Sequence, residues 1–149
     1  MKLLDFINSN QDRNISIFCD LDGVLAEYDI GNFDYDTIRP LVSNIEKIKK
    51  LKEKDNINVY ILSICKTNKV VEEKINWVRR YMPFLEKKNI VLLSKEEIKN
   101  LESDEIKLNY LNENAKDDIN IVIDDDIRII KRLKENKNLI IYHVSSLID

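Results

Sequence analysis

The amino-acid sequence predicts a three-layer α/β/α domain built on a five-stranded parallel sheet, with no more than a small flap above it. Two observations carry this expectation. Short β-branched runs at Ile15–Cys19, Val59–Leu62, Ile90–Leu93, Ile119–Ile123 and Leu139–His143 alternate with longer stretches of helical character. Strict alternation calls for parallel strands joined by crossover helices, because two parallel strands cannot be linked by a tight turn.

The helical stretches run from Leu41 to Lys54, Val70 to Met82, Asp104 to Glu113 and Ile127 to Asn136. In the second of them Val71, Ile75, Val78 and Met82 recur at i, i+4, i+7 and i+11, which is one apolar stripe. Pro40 and Pro83 punctuate helix boundaries. A chain of 149 residues that is 44% hydrophobic and 34% charged is expected to bury its core as one globular domain, 1–149, and no repeat or linker divides it. The segment Ala26–Arg39, "AEYDIGNFDYDTIR", breaks the alternation: polar and aromatic, with one of only two glycines, it reads as a loop or small hairpin over the end of the first strand. About 14 residues are too few for a cap domain with its own core.

Composition excludes several classes of function. No apolar run approaches the roughly 18 residues of a membrane span, and the N-terminus lacks an apolar segment ahead of a small-residue cleavage site. A cytoplasmic protein without a membrane partner is expected. The charge balance of 24 basic against 27 acidic residues gives −3, and the basic residues are interleaved with acids, so no basic nucleic-acid surface is evident. Cys19 and Cys65 lack metal-ligand spacing and read as buried thiols. The lone His143, inside "LIIYHVSS", reads as a strand residue, which sets aside Ser-His-Asp and Cys-His chemistry.

In an open parallel sheet, ligands bind beyond the carboxyl ends of the strands. Asp20 and Asp22 follow the first run, Ser63 the second, and Asp124, Asp125 and Asp126 the fourth. With 15 aspartates in the chain an Asp-x-Asp pair is a weak signal by itself, and Asp34-Tyr35-Asp36 reads as a bystander. Partners on other strands are what make Asp20 and Asp22 a candidate site. Carboxylates gathered at one rim repel by about 4 kcal/mol per pair at 4 Å and an effective dielectric of 20, so the group needs a cation or raised pKa values. Oxygen-only ligands point to a hard divalent ion, Mg²⁺ first. Calcium storage is the second choice, and no loop with the calcium-binding spacing is present.

The run Asp20-Leu21-Asp22-Gly23-Val24-Leu25 after an apolar strand resembles the first motif of the haloacid dehalogenase (HAD) superfamily, in its phosphatase branch, where the second Asp is present. The resemblance implies a Rossmann-like HAD core and a Mg²⁺-dependent phosphomonoesterase. In it Asp20 is the nucleophile that becomes an aspartyl-phosphate, and Asp22 is the general acid and base that also lends its backbone carbonyl to the metal. Ser63 matches the hydroxyl of the second motif, acting with the amide of Ile64, and Asp124 and Asp125 match the acidic fourth motif, Asp125 reaching the metal more directly. Asp126 reads instead as a helix N-cap. The phosphate-binding lysine of the family is assigned to Lys107, in "EIKLNYL", with Lys95, in "VLLSKEE", as the alternative.

A second likeness, Lys74-x-x-Trp77-Val78 in "EKINWVRRYMP" together with the tail "YHVSSLID", resembles small 5′-nucleotidase-like members, so that the likeness spans Ile15 to Asp149. Packing against the sheet is the first reading of Trp77. The implied partner is a small phosphorylated substrate such as a nucleotide. An open site equally suits a polynucleotide 3′-phosphate, a phosphoprotein, or closure by a second subunit of a homo-oligomer. A non-catalytic binding module of the same fold is a further class, and phosphonatase or phosphomutase chemistry would need cap residues that this chain lacks.

Overall fold

The computed structural model describes residues 1–148; Asp149, the last residue of the expected domain and of the family likeness, lies outside the described residues. The elements run α1 (Leu3–Asn8), β1 (Ile15–Cys19), α2 (Val42–Lys52), β2 (Ile57–Cys65), α3 (Asn68–Tyr81), β3 (Ile90–Ser94), α4 (Ser103–Asn114), β4 (Ile119–Asp124), α5 (Ile127–Leu133) and β5 (Leu139–His143). All five strands lie parallel in one sheet of order β3-β2-β1-β4-β5. The sheet is covered on both sides, so the three-layer expectation holds.

Side-chain alternation sorts the layers. Ile15, Ile17 and Cys19 of β1 face one way, with Leu3 and Ile7 of α1, Ile45, Ile48 and Leu51 of α2, and Trp77 and Val78 of α3. Phe18 of β1 faces the other way, with Leu108 and Leu111 of α4 and Ile129 and Leu133 of α5. Each such aliphatic side chain removed from water contributes about 1.5–3 kcal/mol to folding before entropy is counted. The direction of chain travel reverses between β1 and β4, and that crevice is where an open α/β sheet takes its ligands.

Three differences from the sequence reading matter. Strand β2 extends through Cys65, so Ser63 lies within the strand rather than after it, paired in register with Leu92. Helix α1 was not expected. The buried face of α3 is Lys74, Trp77 and Val78, one position away from the stripe of Val71 and Ile75, which are only partly buried.

The segment between β1 and α2 is a flap without helix or strand of its own. Its neck is closed by Glu27 N–H donating to Arg39 O at 2.9 Å and Leu41 N–H donating to Leu25 O at 2.8 Å. Short turns carry the chain round, with Asp29 accepting from Gly31 N–H, Asn32 from Asp34 N–H and Asp34 from Asp36 N–H. Tyr35 and Ile38 plug the flap into the core, while Tyr28, Ile30 and Phe33 stay exposed. Trp77 is buried, as its packing reading requires, and its indole N–H donates to Ile38 O at 3.0 Å, which ties α3 to the flap. Among the described residues, no helix is long and apolar enough to cross a membrane.

Candidate active site

Asp20 extends β1 by one residue: its N–H donates to Ile123 O at 3.0 Å, which sets its side chain beside the end of β4. Asp124 closes β4 and is 0% exposed, and Asp125 follows it into the rim. Carboxylate oxygens of Asp20, Asp124 and Asp125 lie within 4.8 Å of one another. Lys107 reaches them from α4, with Nζ 2.7 Å from Asp124 Oδ2 and 3.1 Å from Asp20 Oδ1. The other oxygen of Asp124 accepts from Asp126 N–H at 3.0 Å, and Asp126 caps α5 by accepting from Arg128 N–H, as expected of an N-cap.

Gly23 lets the three acids meet. Its φ is +80°, in the left-handed region, and a Cβ there would stand 2.6 Å from Asp125 Cγ. Gly23→Ala is therefore expected to destabilise the fold by about 1–3 kcal/mol and to weaken cation binding by displacing Asp125. Urea unfolding, and melting temperature followed through a Mg²⁺ titration, check the two effects separately.

The second half of the site is centred on Asp22. Its Oδ1 accepts from the Tyr35 hydroxyl of the flap at 2.7 Å, and its Oδ2 faces Lys74 Nζ at 2.8 Å. Lys74 also donates to Ser63 Oγ at 2.8 Å and to Ile64 O at 3.0 Å. Ser63 shares the parity of Val59 and Ile61 along β2, which is why it meets a residue of α3. Both carboxylate oxygens of Asp22 are thus engaged, and its backbone carbonyl is the group left to offer a cation.

Asp20, Asp22, Ser63, Ile64, Lys107 and Asp125 line one cleft of about 390 Å³, with Tyr28 and Arg128 also on its walls. The structure brings the expected site residues together around this cleft, Asp124 lying beneath it. Lys95 stands elsewhere: it follows β3, its N–H donates to Cys65 O, and it is not on the cleft wall. Lys74 and Tyr35 are the contacts that the sequence reading did not assign to the site.

The electrostatics follow from burial. Asp20 is pushed up to about 7, first by burial, with Lys107 opposing and Asp124, Asp22 and Asp125 adding to the rise. Asp125 is raised as well, by burial and then by Asp124. Burial alone would lower Lys107, but Asp20 and Asp124 outweigh it and hold the ammonium at about 12. Burial, then Asp20, pushes the Cys19 thiol up to about 12, and Cys65 is raised too, so neither supplies a thiolate.

These acids fit a small hard cation: the donors are all oxygen, closely grouped, and carry more negative charge than Lys107 neutralises. The sign of the pH dependence follows. Below pH about 4 Asp20 is protonated in the folded and unfolded chain alike, whereas between about 4 and 7 only the folded chain keeps the proton. Metal-free stability from this group therefore falls as pH rises through that window. Lys107, with a raised folded pKa, contributes fully throughout. Millimolar Mg²⁺ is expected to raise the melting temperature by several degrees at pH 8 and by little at pH 5. Equal increments at both values in a thermal-melt series would place the cation off these acids.

No protein-family model matches this chain, and no curated protein matches it in sequence. Solved structures do. A chain of a Pnkp1/Rnl/Hen1 complex superposes with a TM-score of 0.69 at 16% identity over 88% of this chain and 46% of that one. A second such chain, from a Pnkp1/Rnl/Hen1 RNA repair complex, gives 0.68 at 19% identity over 89% and 42%. A Mesorhizobium loti structure described as a HAD-like phosphatase gives 0.59 at 10% identity over 85% and 70%. The fold is HAD-like. This chain spans less than half the length of the two repair-complex chains it matches. The crevice between β1 and β4 is where this chain gathers Asp20, Lys107, Asp124 and Asp125. None of these three structures is described as a 5′-nucleotidase, so that narrower likeness rests on the sequence alone.

Proposed function

We propose that this chain is a Mg²⁺-dependent phosphomonoesterase working through an aspartyl-phosphate on Asp20. The observation that carries this is the pairing of two lysine-held acidic groups on one cleft: Asp20 with Lys107, Asp124 and Asp125, and Asp22 with Lys74 and Ser63. The Asp20 carboxylate attacks phosphorus in line with the leaving oxygen, and the phosphorus–oxygen bond of the ester breaks. Asp22 gives its proton to that oxygen, then takes one from the water that hydrolyses the acyl phosphate and restores Asp20. Lys107 spends two N–H groups on carboxylates and keeps a third for the phosphoryl oxygens. Asp20, Asp124 and Asp125, with the Asp22 carbonyl, would hold Mg²⁺, which supplies charge neutralisation to the transferring group.

For the substrate, a polynucleotide 3′-phosphate is favoured over a free nucleotide. Two of the chains that share this fold belong to Pnkp1/Rnl/Hen1 complexes, one of them described as an RNA repair complex. The short flap, closed at its neck by the Glu27–Arg39 and Leu41–Leu25 hydrogen bonds, leaves the site open to a large substrate. Tyr28, 65% exposed on the cleft wall, offers a stacking face to a terminal base. Hydrolysis of an aryl phosphate with and without Mg²⁺ tests the reaction, and metal-independent turnover would overturn it. A 3′-phosphorylated oligonucleotide, a 5′-mononucleotide and a phosphopeptide, compared by kcat/KM, test the substrate; preference for the mononucleotide would return the nucleotidase reading.

A further inference from the structure

Lys74 has no step of its own in the reaction above, yet three acceptors converge on it: Asp22 Oδ2 at 2.8 Å, Ser63 Oγ at 2.8 Å and Ile64 O at 3.0 Å. An ammonium group has three hydrogens and no lone pair, so these acceptors use all of them. None is left for a substrate phosphate, which separates Lys74 from Lys107, with its two carboxylate partners. The same count orients Ser63. Lys74 can only donate, so Ser63 Oγ must accept from it, and the single hydroxyl hydrogen points elsewhere. Ser63 is buried at the cleft wall with no other partner among the described residues, and the cleft is where that hydrogen can go.

We infer that Lys74 is a positioning residue: it fixes the Asp22 carboxylate towards the leaving oxygen and the Ser63 hydroxyl as a donor to the transferring phosphoryl group. The inference rests on the phosphomonoesterase reading. Its support is the cost of the arrangement. The Lys74 side chain is 3% exposed, and an ammonium that deep is desolvated, a penalty that an aliphatic residue packed beside Trp77 and Val78 would avoid. Tyr35 holds the opposite oxygen of Asp22, so the carboxylate is fixed from both sides and not merely screened.

The test is the leaving group. An alkyl leaving oxygen needs a proton in the transition state, whereas dinitrophenolate leaves without one. In Lys74→Met, kcat for an alkyl phosphate is expected to fall by about 100-fold or more and for dinitrophenyl phosphate by about 10-fold or less, with KM moving less than kcat. Lys74→Met combined with Ser63→Ala is expected to cost less than the product of the single effects, because one acts through the other. An equal loss for both leaving groups, or fully multiplicative losses, would overturn the inference. Should circular dichroism show Lys74→Met unfolded, Lys74→Gln, which keeps an N–H donor and removes the charge, is judged by the same criteria. If the wild type hydrolyses neither ester, the phosphomonoesterase reading falls. If the wild type is active, Asp20→Asn inactive and the Lys74→Met loss uniform, only the positioning role falls.

Discussion

Asp20→Asn is expected to lower Mg²⁺-dependent turnover of an aryl phosphate by at least about 10⁴-fold, and yet to raise the melting temperature of the metal-free protein. The amide is nearly isosteric with the acid but cannot form the acyl phosphate that the proposed mechanism requires. Stability moves the other way because Asp20 is a carboxylate pushed up to about 7 by burial, against which only Lys107 pulls, and the amide has no charge to desolvate. Lys107 keeps its 2.7 Å contact with Asp124, so the ammonium is not left unpaired. The gain in melting temperature on adding Mg²⁺ should shrink in the variant, since one ligand oxygen is weakened. A steady-state assay paired with melts in and out of Mg²⁺ checks all three. A fully active Asp20→Asn would remove the nucleophile from the mechanism.

Lys107→Met is expected to act on stability and activity together. Among the described residues, Lys107 pairs with both Asp20 and Asp124, and Asp124 is fully buried. Removing it leaves a buried charge without compensation, a change that costs about 3–5 kcal/mol in other proteins. Mg²⁺ at the same acids should recover part of that loss. Turnover should fall by about 10³-fold if, as proposed, the third N–H of Lys107 serves the phosphoryl group. Lys95→Met is the comparison: half-buried and off the cleft wall, it should change unfolding free energy by less than about 0.5 kcal/mol and leave kcat unchanged. Urea unfolding and kcat on the two variants decide between the lysines, and the reverse pattern would give the role to Lys95.

Much of this site is legible in the sequence because strand ends are sharp in a parallel sheet. An apolar run that stops in Asp marks both a buried strand and a rim residue, which is why the sequence points to Asp20 and Asp124. Lys74 was hidden by the same rule. A charge on an apolar helix reads as its wet face, and the stripe of Val71 and Ile75 drew the buried face one position off. Its signal was the spacing: Lys74 stands three and four residues before Trp77 and Val78, the neighbours on one helical face. Tyr35 was hidden inside Asp34-Tyr35-Asp36, whose acids are indeed exposed while the tyrosine between them reaches Asp22. Helix α1 is six residues long, below the length at which helical periodicity can be read, and it holds by burying Leu3 and Ile7. Strand β2 outran its apolar run because Ser63 is polar, although the ladder continues to Cys65 opposite Ser94.

The neck of the flap has a consequence for how such a chain can diversify. The loop departs at Leu25 and returns at Leu41, and these two positions are joined by a backbone hydrogen bond, so whatever lies between starts and finishes at the same point. Extra residues spliced in there would lengthen an excursion whose closure entropy grows only slowly with length, without shifting the register of β1 against β2 or β4. Chemistry and selectivity are therefore separable heritable units in this architecture: the acids ride on the sheet, and the choice of what reaches them can be rewritten in one surface segment.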